Sequence, residues 1–277
     1  MSQKKPNKSG LAKVIIARSD KPFNFAFTQF DVKLTALEEM NQLLPAISKL
    51  LYNEIDKSLE KSSDYAIFQE HMEKIASSLE KTTGSVELEV DDEKFQAFLK
   101  VYKKSTLLHC SRIIGDISLV YLIAEFEGFL KDILVNSFKR KPETLISCQK
   151  TVTYEDIVKH DDISQLKEQV IEKETSVVNE DIEEVSKYFK QRFNVDLSSF
   201  VDWNRFKERF YRRNIIIHNS AIPNERYILK TGYEGKKQPL IVSRTYLMES
   251  ITLFRVMAQQ IRDTFNDKMM TNREPSK

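Results

Sequence analysis

Glycine and proline are scarce in this chain. Only 6 glycines and 7 prolines occur among its 277 residues. Because these two residues form most tight turns, their scarcity predicts few turns and favours long helices over a strand-rich fold. Hydrophobic residues make up 41% and charged residues 30% of the chain, which is typical of a globular protein with a sizeable core. We therefore predict an all-α helical bundle.

Apolar residues recur at helical spacing in several stretches. In the stretch 31–81 they lie three or four residues apart, as in an amphipathic helix, and Pro45 should start a new helix there or kink the first one. The most apolar stretch, 113–138, predicts a long central helix of a bundle. Ser243 has the side chain of an N-cap and predicts the start of the last helix.

Composition and periodicity divide the chain into four parts. These are a flexible basic tail (1–20), an N-terminal helical region (21–112), a helical bundle (113–268) and a second flexible tail (269–277). Two segments are candidates for short strands. Alternating Val86, Leu88 and Val90 after a glycine turn predict one, and "KTGYEGKKQP" predicts a loop or a short β-hairpin.

Charge and cysteine usage exclude several classes of protein. The net charge is only +2, so any nucleic-acid site must be a local patch of the surface. Cys110 and Cys148 lack the paired spacing of a zinc site or a disulfide framework, and a reducing compartment is expected. No stretch has the roughly 18 apolar residues of a membrane span. We expect a cytoplasmic protein without a metal or another cofactor.

The segment "RRNIIIHNS" (212–220) brings polar chemistry into a helix. On an ideal helix, with about 100° per residue, an apolar stripe contains Trp203, Phe206, Phe210 and Ile217. Arg213 falls within this stripe, where a charge needs a partner or a water-filled groove. Asn214 and His218 share one edge of the stripe, and Arg205, Arg209 and Arg212 fall on the other edge, where Arg212 is expected to project away from the stripe. Ile215 and Ile216 are expected on other faces.

The residue types in this segment are suited to binding and cleaving a phosphodiester. Histidine moves a proton near neutral pH, arginine binds phosphate oxygens, and asparagine orients a hydroxyl or the imidazole. With RNA as the substrate, its own 2′-hydroxyl can attack the phosphate, so that neither a metal nor a protein nucleophile is required. The alternative is an ordinary helix end at which His218 caps carbonyl groups, and geometry alone favours that alternative.

The same residues resemble the signature of the HEPN superfamily of helical domains. That signature is an arginine followed, after four to six residues, by a histidine, and here it consists of Arg213, Asn214, three isoleucines and His218. "FYRRNIIIHNSAIPNERYI" is also similar to a HEPN group linked to prokaryotic RNA toxins, at Phe210, Arg213, Asn214, His218, Asn219, Ile222, Asn224 and Tyr227. The likeness covers about residues 113–268. It departs at Ala221, where the group has a glycine soon after the His-Asn pair.

The resemblance implies a four- or five-helix core that forms a homodimer with two Arg–His sets across a cleft. It implies a metal-independent RNA endonuclease with catalytic Arg213, Asn214 and His218, in a toxin or antiviral-defence role with a possible antitoxin partner. We expect Glu127 (with Glu125 as the alternative acid), Asn219 and Tyr227 to support the site. The basic residues interleaved with aromatic residues on the same helix lead us to expect RNA binding by Arg205, Arg209 and Arg212. The alternative is a non-catalytic HEPN module that binds a protein partner or a nucleotide.

Overall fold

The computed structural model describes residues 21, 23–60, 92–146, 153 and 162–270. These residues form seven α-helices, joined by turns, loops and short 3-10 helices, and no strand occurs among them. The predicted all-α fold is thus confirmed. The helices are α1 (Asn24–Glu60), α2 (Asp92–Arg140), α3 (Ile163–Thr175), α4 (Ile182–Phe193), α5 (Trp203–Asn219), α6 (Glu225–Thr231) and α7 (Arg244–Met270).

The first and last helices run antiparallel. The backbone N–H of Phe23 at the start of α1 donates to Asn266 near the end of α7, at 3.3 Å. Asn41, eighteen residues further along α1, donates to the carbonyl of Arg244 at the start of α7, at 3.4 Å. α2 also lies against α1, where the rings of Phe30 and Phe129 stack at 5.3 Å.

Phe126 of α2 joins four helices in one aromatic core. Its ring centroid lies 5.8 Å from Phe30 of α1, 5.5 Å from Phe206 of α5 and 5.0 Å from Phe254 of α7. All four side chains are almost completely buried. The N-terminal region therefore contributes to the same core as the region 113–268. The predicted boundary between residues 112 and 113 falls inside α2, which is longer than the predicted central helix.

Local sequence signals explain several helix ends and miss others. Ser243 caps α7 as predicted, because its hydroxyl accepts from the N–H of Tyr246 at 3.1 Å. The prediction that a helix starts at Pro45 is wrong, since α1 continues from Asn24 to Glu60. The segment 232–241 after α6 is a loop rather than a hairpin. The predicted strand around Val86, Leu88 and Val90 lies outside the described residues.

Candidate functional site

Helix α5 carries the Arg–His segment and is capped at both ends. The Asp202 side chain accepts from the N–H of Arg205 at 3.2 Å, and Ser220 ends the helix in the left-handed conformation. Phe206 and Phe210 are buried in the main core, as the helical wheel predicts. The wheel is wrong at the other end of the helix. Ile217 is 48% exposed, while Ile215 is 1% exposed.

The buried face of α5 changes along its length because its last turns pack against α6. Tyr211 and Ile215 form a second, small cluster there with Tyr227 of α6. Ile216 packs against the main core instead. The apolar stripe therefore turns toward α6 after Phe210, and Ile217 is left on the solvent side.

Arg213 pairs with Glu127 of α2. Its guanidinium donates to the Glu127 carboxylate at 2.5 Å, and the two side chains are 24% and 19% exposed. Glu127 is thus the acid that reaches this arginine, as predicted, whereas the alternative, Glu125, pairs with Lys33. Burial raises the pKa of Glu127, and the charge of Arg213 opposes that rise. The Nε of Arg213 is buried and has no acceptor in the part of the chain that the structure describes.

Asn214 and His218 line an open cleft between α5 and α6. Its volume is about 220 Å³, and its walls are Tyr211, Asn214, Ile215, His218, Asn224, Arg226 and Tyr227. His218 is exposed and Asn214 is half-buried. Arg213 is not part of the wall, because its side chain is directed to α2. The structure thus brings Asn214, His218 and Tyr227 together at one cleft and leaves Arg213 beside it.

Arg226 and Asn224 are cleft residues that the sequence reasoning did not select as site residues. Arg226 is 64% exposed and donates to Asp181 at 2.8 Å, so one carboxylate orients it while most of its surface faces solvent. Asn224 caps α6 by accepting from the N–H of Tyr227 at 2.9 Å. The signal that could have found Arg226 is its position between Asn224 and Tyr227, two of the positions on which the sequence analysis based its expected resemblance.

Asn219, expected as a supporting residue, belongs to the turn after α5. Its side-chain amide donates to the carbonyl of Ile222 at 2.6 Å. The backbone N–H of Ile222 donates back to the Asn219 carbonyl at 2.8 Å. This reciprocal pair holds the chain as it leaves α5 and enters the segment that leads to α6.

The five cations on α5 are all ion-paired. The pairs are Arg205 with Glu249 (2.6 Å), Lys207 with Glu183 (3.1 Å), Arg209 with Glu208 (2.7 Å), Arg212 with Glu208 (3.0 Å) and Arg213 with Glu127. Arg205 lies on an open surface, with a side chain that is 53% exposed. The predicted outward direction of Arg212 is wrong, and Arg209 is buried as well. Arg209 is 5% exposed and the Arg212 side chain 11%.

Glu208 is the reason that these two arginines are buried. The Glu208 carboxylate accepts hydrogen bonds from both guanidinium groups. It also accepts from the hydroxyls of Tyr227 and Tyr246, each at 2.6 Å. The guanidinium groups lie over the Tyr246 ring, at 4.0 Å for Arg209 and 4.9 Å for Arg212. Burial pushes the pKa of Glu208 up, but Arg212, the two hydroxyls and Arg209 outweigh it, so this pKa lies below its ordinary value.

A second acidic centre ties α4 to α5 and α6. The Tyr211 hydroxyl lies within hydrogen-bond distance of Asp181 (3.0 Å) and Glu183 (3.1 Å). Glu183 also accepts from Lys207 at 3.1 Å and from Lys230. The Lys230 hydrogen bond is the largest of the effects that lower the pKa of Glu183 to about 2. Burial opposes it, and Lys207 and Tyr211 add to it.

The hydrogen bonds of these two networks hold two aromatic residues of the cleft wall in place. Tyr211 and Tyr227 contribute ring surface to the wall while their hydroxyls bind acids behind it. The other polar residues of the wall are Asn214, His218, Asn224 and Arg226. This set can bind a phosphate, orient a hydroxyl and move a proton.

Among the described residues, no group of three or more histidines, cysteines or acids is placed to hold a metal ion. No helix in this part of the chain combines the length and the apolarity of a membrane span. Comparison with known proteins found no matching family model, no similar curated protein and no similar solved structure.

Proposed function

We propose that this protein is a metal-independent RNA endonuclease of the HEPN type, acting at the cleft between α5 and α6. One observation carries the proposal: exposed His218 lines an open cleft together with Asn214 and a cation, Arg226. Histidine, an amide and arginine are together sufficient for phosphodiester cleavage when the RNA supplies its own 2′-hydroxyl.

The reaction requires two proton transfers. The 2′-hydroxyl loses a proton as its oxygen attacks the adjacent phosphorus, and the departing 5′-oxygen gains one, which leaves a 2′,3′-cyclic phosphate and a 5′-hydroxyl. His218 performs one of these transfers. In a homodimer of the HEPN type, His218 of the partner subunit is available for the other. Asn214 orients the attacking hydroxyl or the imidazole.

Two arginines are candidates for the phosphate. Arg226 lines the cleft and is largely exposed, so it can bind a phosphate oxygen without leaving its pair with Asp181. Arg213 stabilises charge in the transition state only if its side chain exchanges Glu127 for the substrate, because the two are paired at 2.5 Å. We assign Arg226 to ground-state phosphate binding and Arg213 to transition-state stabilisation.

Cleavage of a single-stranded RNA in EDTA tests the proposal. The wild-type protein should cut and leave 2′,3′-cyclic phosphate ends, and His218→Ala should lower kcat by roughly 100-fold or more. Arg226→Ala should mainly raise KM, and Arg213→Ala should mainly lower kcat. Arg140→Ala is the matched control, since this exposed arginine at the end of α2 lies outside the cleft wall. Loss of cutting in EDTA, or full activity of His218→Ala, would contradict the proposal.

The ion pairing of α5 favours a second candidate function. Because all five cations on this helix have acidic partners, α5 offers an RNA backbone little uncompensated charge. A non-catalytic module that binds a nucleotide or a protein partner is consistent with this feature. It predicts intact RNA at high protein concentration, together with calorimetric binding of a mononucleotide that Arg226→Ala weakens.

A toxin or antiviral-defence role accompanies the nuclease proposal, with an antitoxin as a possible partner. Induced expression of the wild-type chain should then arrest bacterial growth, and expression of His218→Ala at the same level should not. If both proteins arrest growth, then the toxicity does not depend on His218 and the defence role at this cleft is contradicted.

A further inference from the structure

The side chains of α1 that the structure describes form two apolar faces, one buried and one exposed. The buried face consists of Phe23, Ala26, Phe30, Leu34 and Leu37, which pack in the core. The other face, here called the outer stripe, consists of Phe25, Val32, Leu43, Ile47 and Leu50, which are 75%, 61%, 61%, 51% and 66% exposed. On an ideal helix these five residues lie within about 60° of one another and extend over roughly 37 Å.

An exposed stripe of this length is unusual. The outward side of a surface helix is normally polar, and large contiguous apolar patches on soluble proteins are typically sites of interaction. The positions between the large residues are small or uncharged, with exposed Thr28, Gln29, Ala36 and Ala46. Glu39 is the one charged residue within the stripe. The outer stripe is therefore suited to an apolar helix of similar length.

The large residues of the stripe are spaced symmetrically about its midpoint, so that each has a counterpart at the same distance on the other side. When two copies of α1 lie antiparallel with the two-fold axis beside Leu37 and Glu38, Phe25 comes opposite Leu50 and Val32 opposite Leu43. Thr28 comes opposite Ile47 in the same arrangement. The stripe is therefore complementary to a second copy of itself, as an isologous interface requires.

Charge distinguishes the antiparallel pair from the parallel one. A parallel pair in register places Glu39 beside Glu39 and Glu54 beside Glu54, and such like-charge contacts are unfavourable. The antiparallel pair places Glu39 opposite exposed Ala36 and keeps the two copies of Glu54 at opposite ends of the interface. We propose that a second copy of this chain covers the outer stripe in an antiparallel α1–α1 pair. This interface uses residues of α1 and none of the residues that line the α5–α6 cleft, so the cleavage assay can fail while the α1–α1 pair forms, and the reverse.

Light scattering after size-exclusion chromatography tests the existence of the dimer. The wild-type chain should be at least a dimer at tens of micromolar. Val32→Glu should weaken the α1–α1 pairing by at least 100-fold, because the contact between residue 32 and Leu43 occurs twice in the symmetric pair and each one would bury a charge. Ile163→Glu is the control, since Ile163 is 70% exposed but lies on α3. A monomeric wild-type protein, or a Val32→Glu protein whose mass in solution equals that of the wild type, overturns the proposal.

Cysteine cross-linking tests the orientation of the pair. In a Cys110→Ser, Cys148→Ser background, Val32→Cys protein mixed with Leu43→Cys protein should form a disulfide-linked dimer. Val32→Cys alone should not, because eleven residues of helix separate the two cysteines along the axis by about 16 Å. Efficient cross-linking of Val32→Cys to itself would establish parallel pairing and contradict the antiparallel arrangement. Circular dichroism of each variant verifies that the helices are retained.

Discussion

Ser220 and Ala221 adopt left-handed backbone conformations at the end of α5, with φ angles of 50° and 62°. Non-glycine residues adopt this region at a cost of roughly 1–2 kcal/mol. The turn is nevertheless held firmly. The Ala221 N–H donates to Ile215 and its carbonyl accepts from Leu240, at 2.9 Å each. This turn directs the chain from α5 toward α6 and so determines where the cleft lies.

A glycine at Ser220 should stabilise the protein. Ser220 is exposed, so removing its side chain relieves the left-handed strain without creating a cavity, and we expect a gain of about 0.5–1 kcal/mol. Urea unfolding measures this gain. Ala221→Gly is the matched comparison. Ala221 is 1% exposed, so the loss of its buried methyl, about 0.8 kcal/mol, should cancel most of the benefit. A less stable Ser220→Gly variant would contradict this account of the turn.

The carboxylate of Glu183 makes stability depend on pH. Its pKa lies at about 2 in the folded protein, against an ordinary 4.5, chiefly because Lys230 donates a hydrogen bond to it. A lowered pKa contributes stability that is fully present above about pH 4.5 and is lost as the pH falls toward 2. Solvent screening at this partly exposed site limits the contribution to about 1 kcal/mol.

Glu183→Gln should therefore lower the free energy of unfolding by about 1 kcal/mol at pH 7 and by less than half of that at pH 3. Urea titrations of both proteins at the two pH values measure the difference. Glu184→Gln is the control, because the Glu184–Lys187 pair is 57% and 63% exposed and such surface pairs contribute little. An equal effect of Glu183→Gln at both pH values would show that its charge is unimportant.

At the scale of the helices, two glycines of α2 have opposite surroundings. A Cβ added to Gly115 would lie 2.5 Å from the carbonyl oxygen of Val242, at the entry to α7. A Cβ added to Gly128 would meet nothing within 4 Å. Gly115 thus permits the close approach of α2 to the segment that starts α7, whereas Gly128 has no such role in the described structure.

Alanine at these positions should have effects of opposite sign. Gly115→Ala forces α2 away from a backbone atom and should destabilise the protein by about 1–3 kcal/mol. Gly128→Ala should stabilise it by up to about 1 kcal/mol through helix propensity alone. Thermal or urea unfolding measures both changes. If Gly115→Ala leaves the free energy of unfolding unchanged, then α7 can move away from α2 without loss of stability.

The helices could be predicted from the sequence because their signals are local. Apolar spacing indicates α5, and the hydroxyl of Ser243 indicates the start of α7. The directions of Arg209 and Arg212 could not be predicted in this way. Glu208 is a near neighbour of both, but the Tyr246 ring comes from α7 and becomes available only after folding. The cleft was missed for the same reason, since Arg226 and His218 come to line the same cleft only through the packing of α6 on α5.

At the scale of the whole molecule, the core joins the N-terminal helix to the helix that carries the candidate site. Phe30 of α1 contacts Phe126 and Phe129, and Phe126 contacts Phe206 and Phe254 in turn. If this core unfolds as one unit, a cavity on α1 must destabilise α5 as well. The single tryptophan, Trp203, stacks on Phe206 at 5.7 Å and reports on α5.

Phe30→Ala should lower the free energy of unfolding by about 3–5 kcal/mol, because it removes a buried ring from a packed core. The midpoints from Trp203 fluorescence and from far-UV circular dichroism should shift together. Gln42→Ala, an exposed change on the same helix, should leave both within about 0.5 kcal/mol of wild type. If the midpoint from Trp203 fluorescence stays unchanged in Phe30→Ala, then α1 unfolds separately from α5. Coincident shifts would mean that the helix bearing His218 depends for its stability on residues almost two hundred positions earlier in the chain.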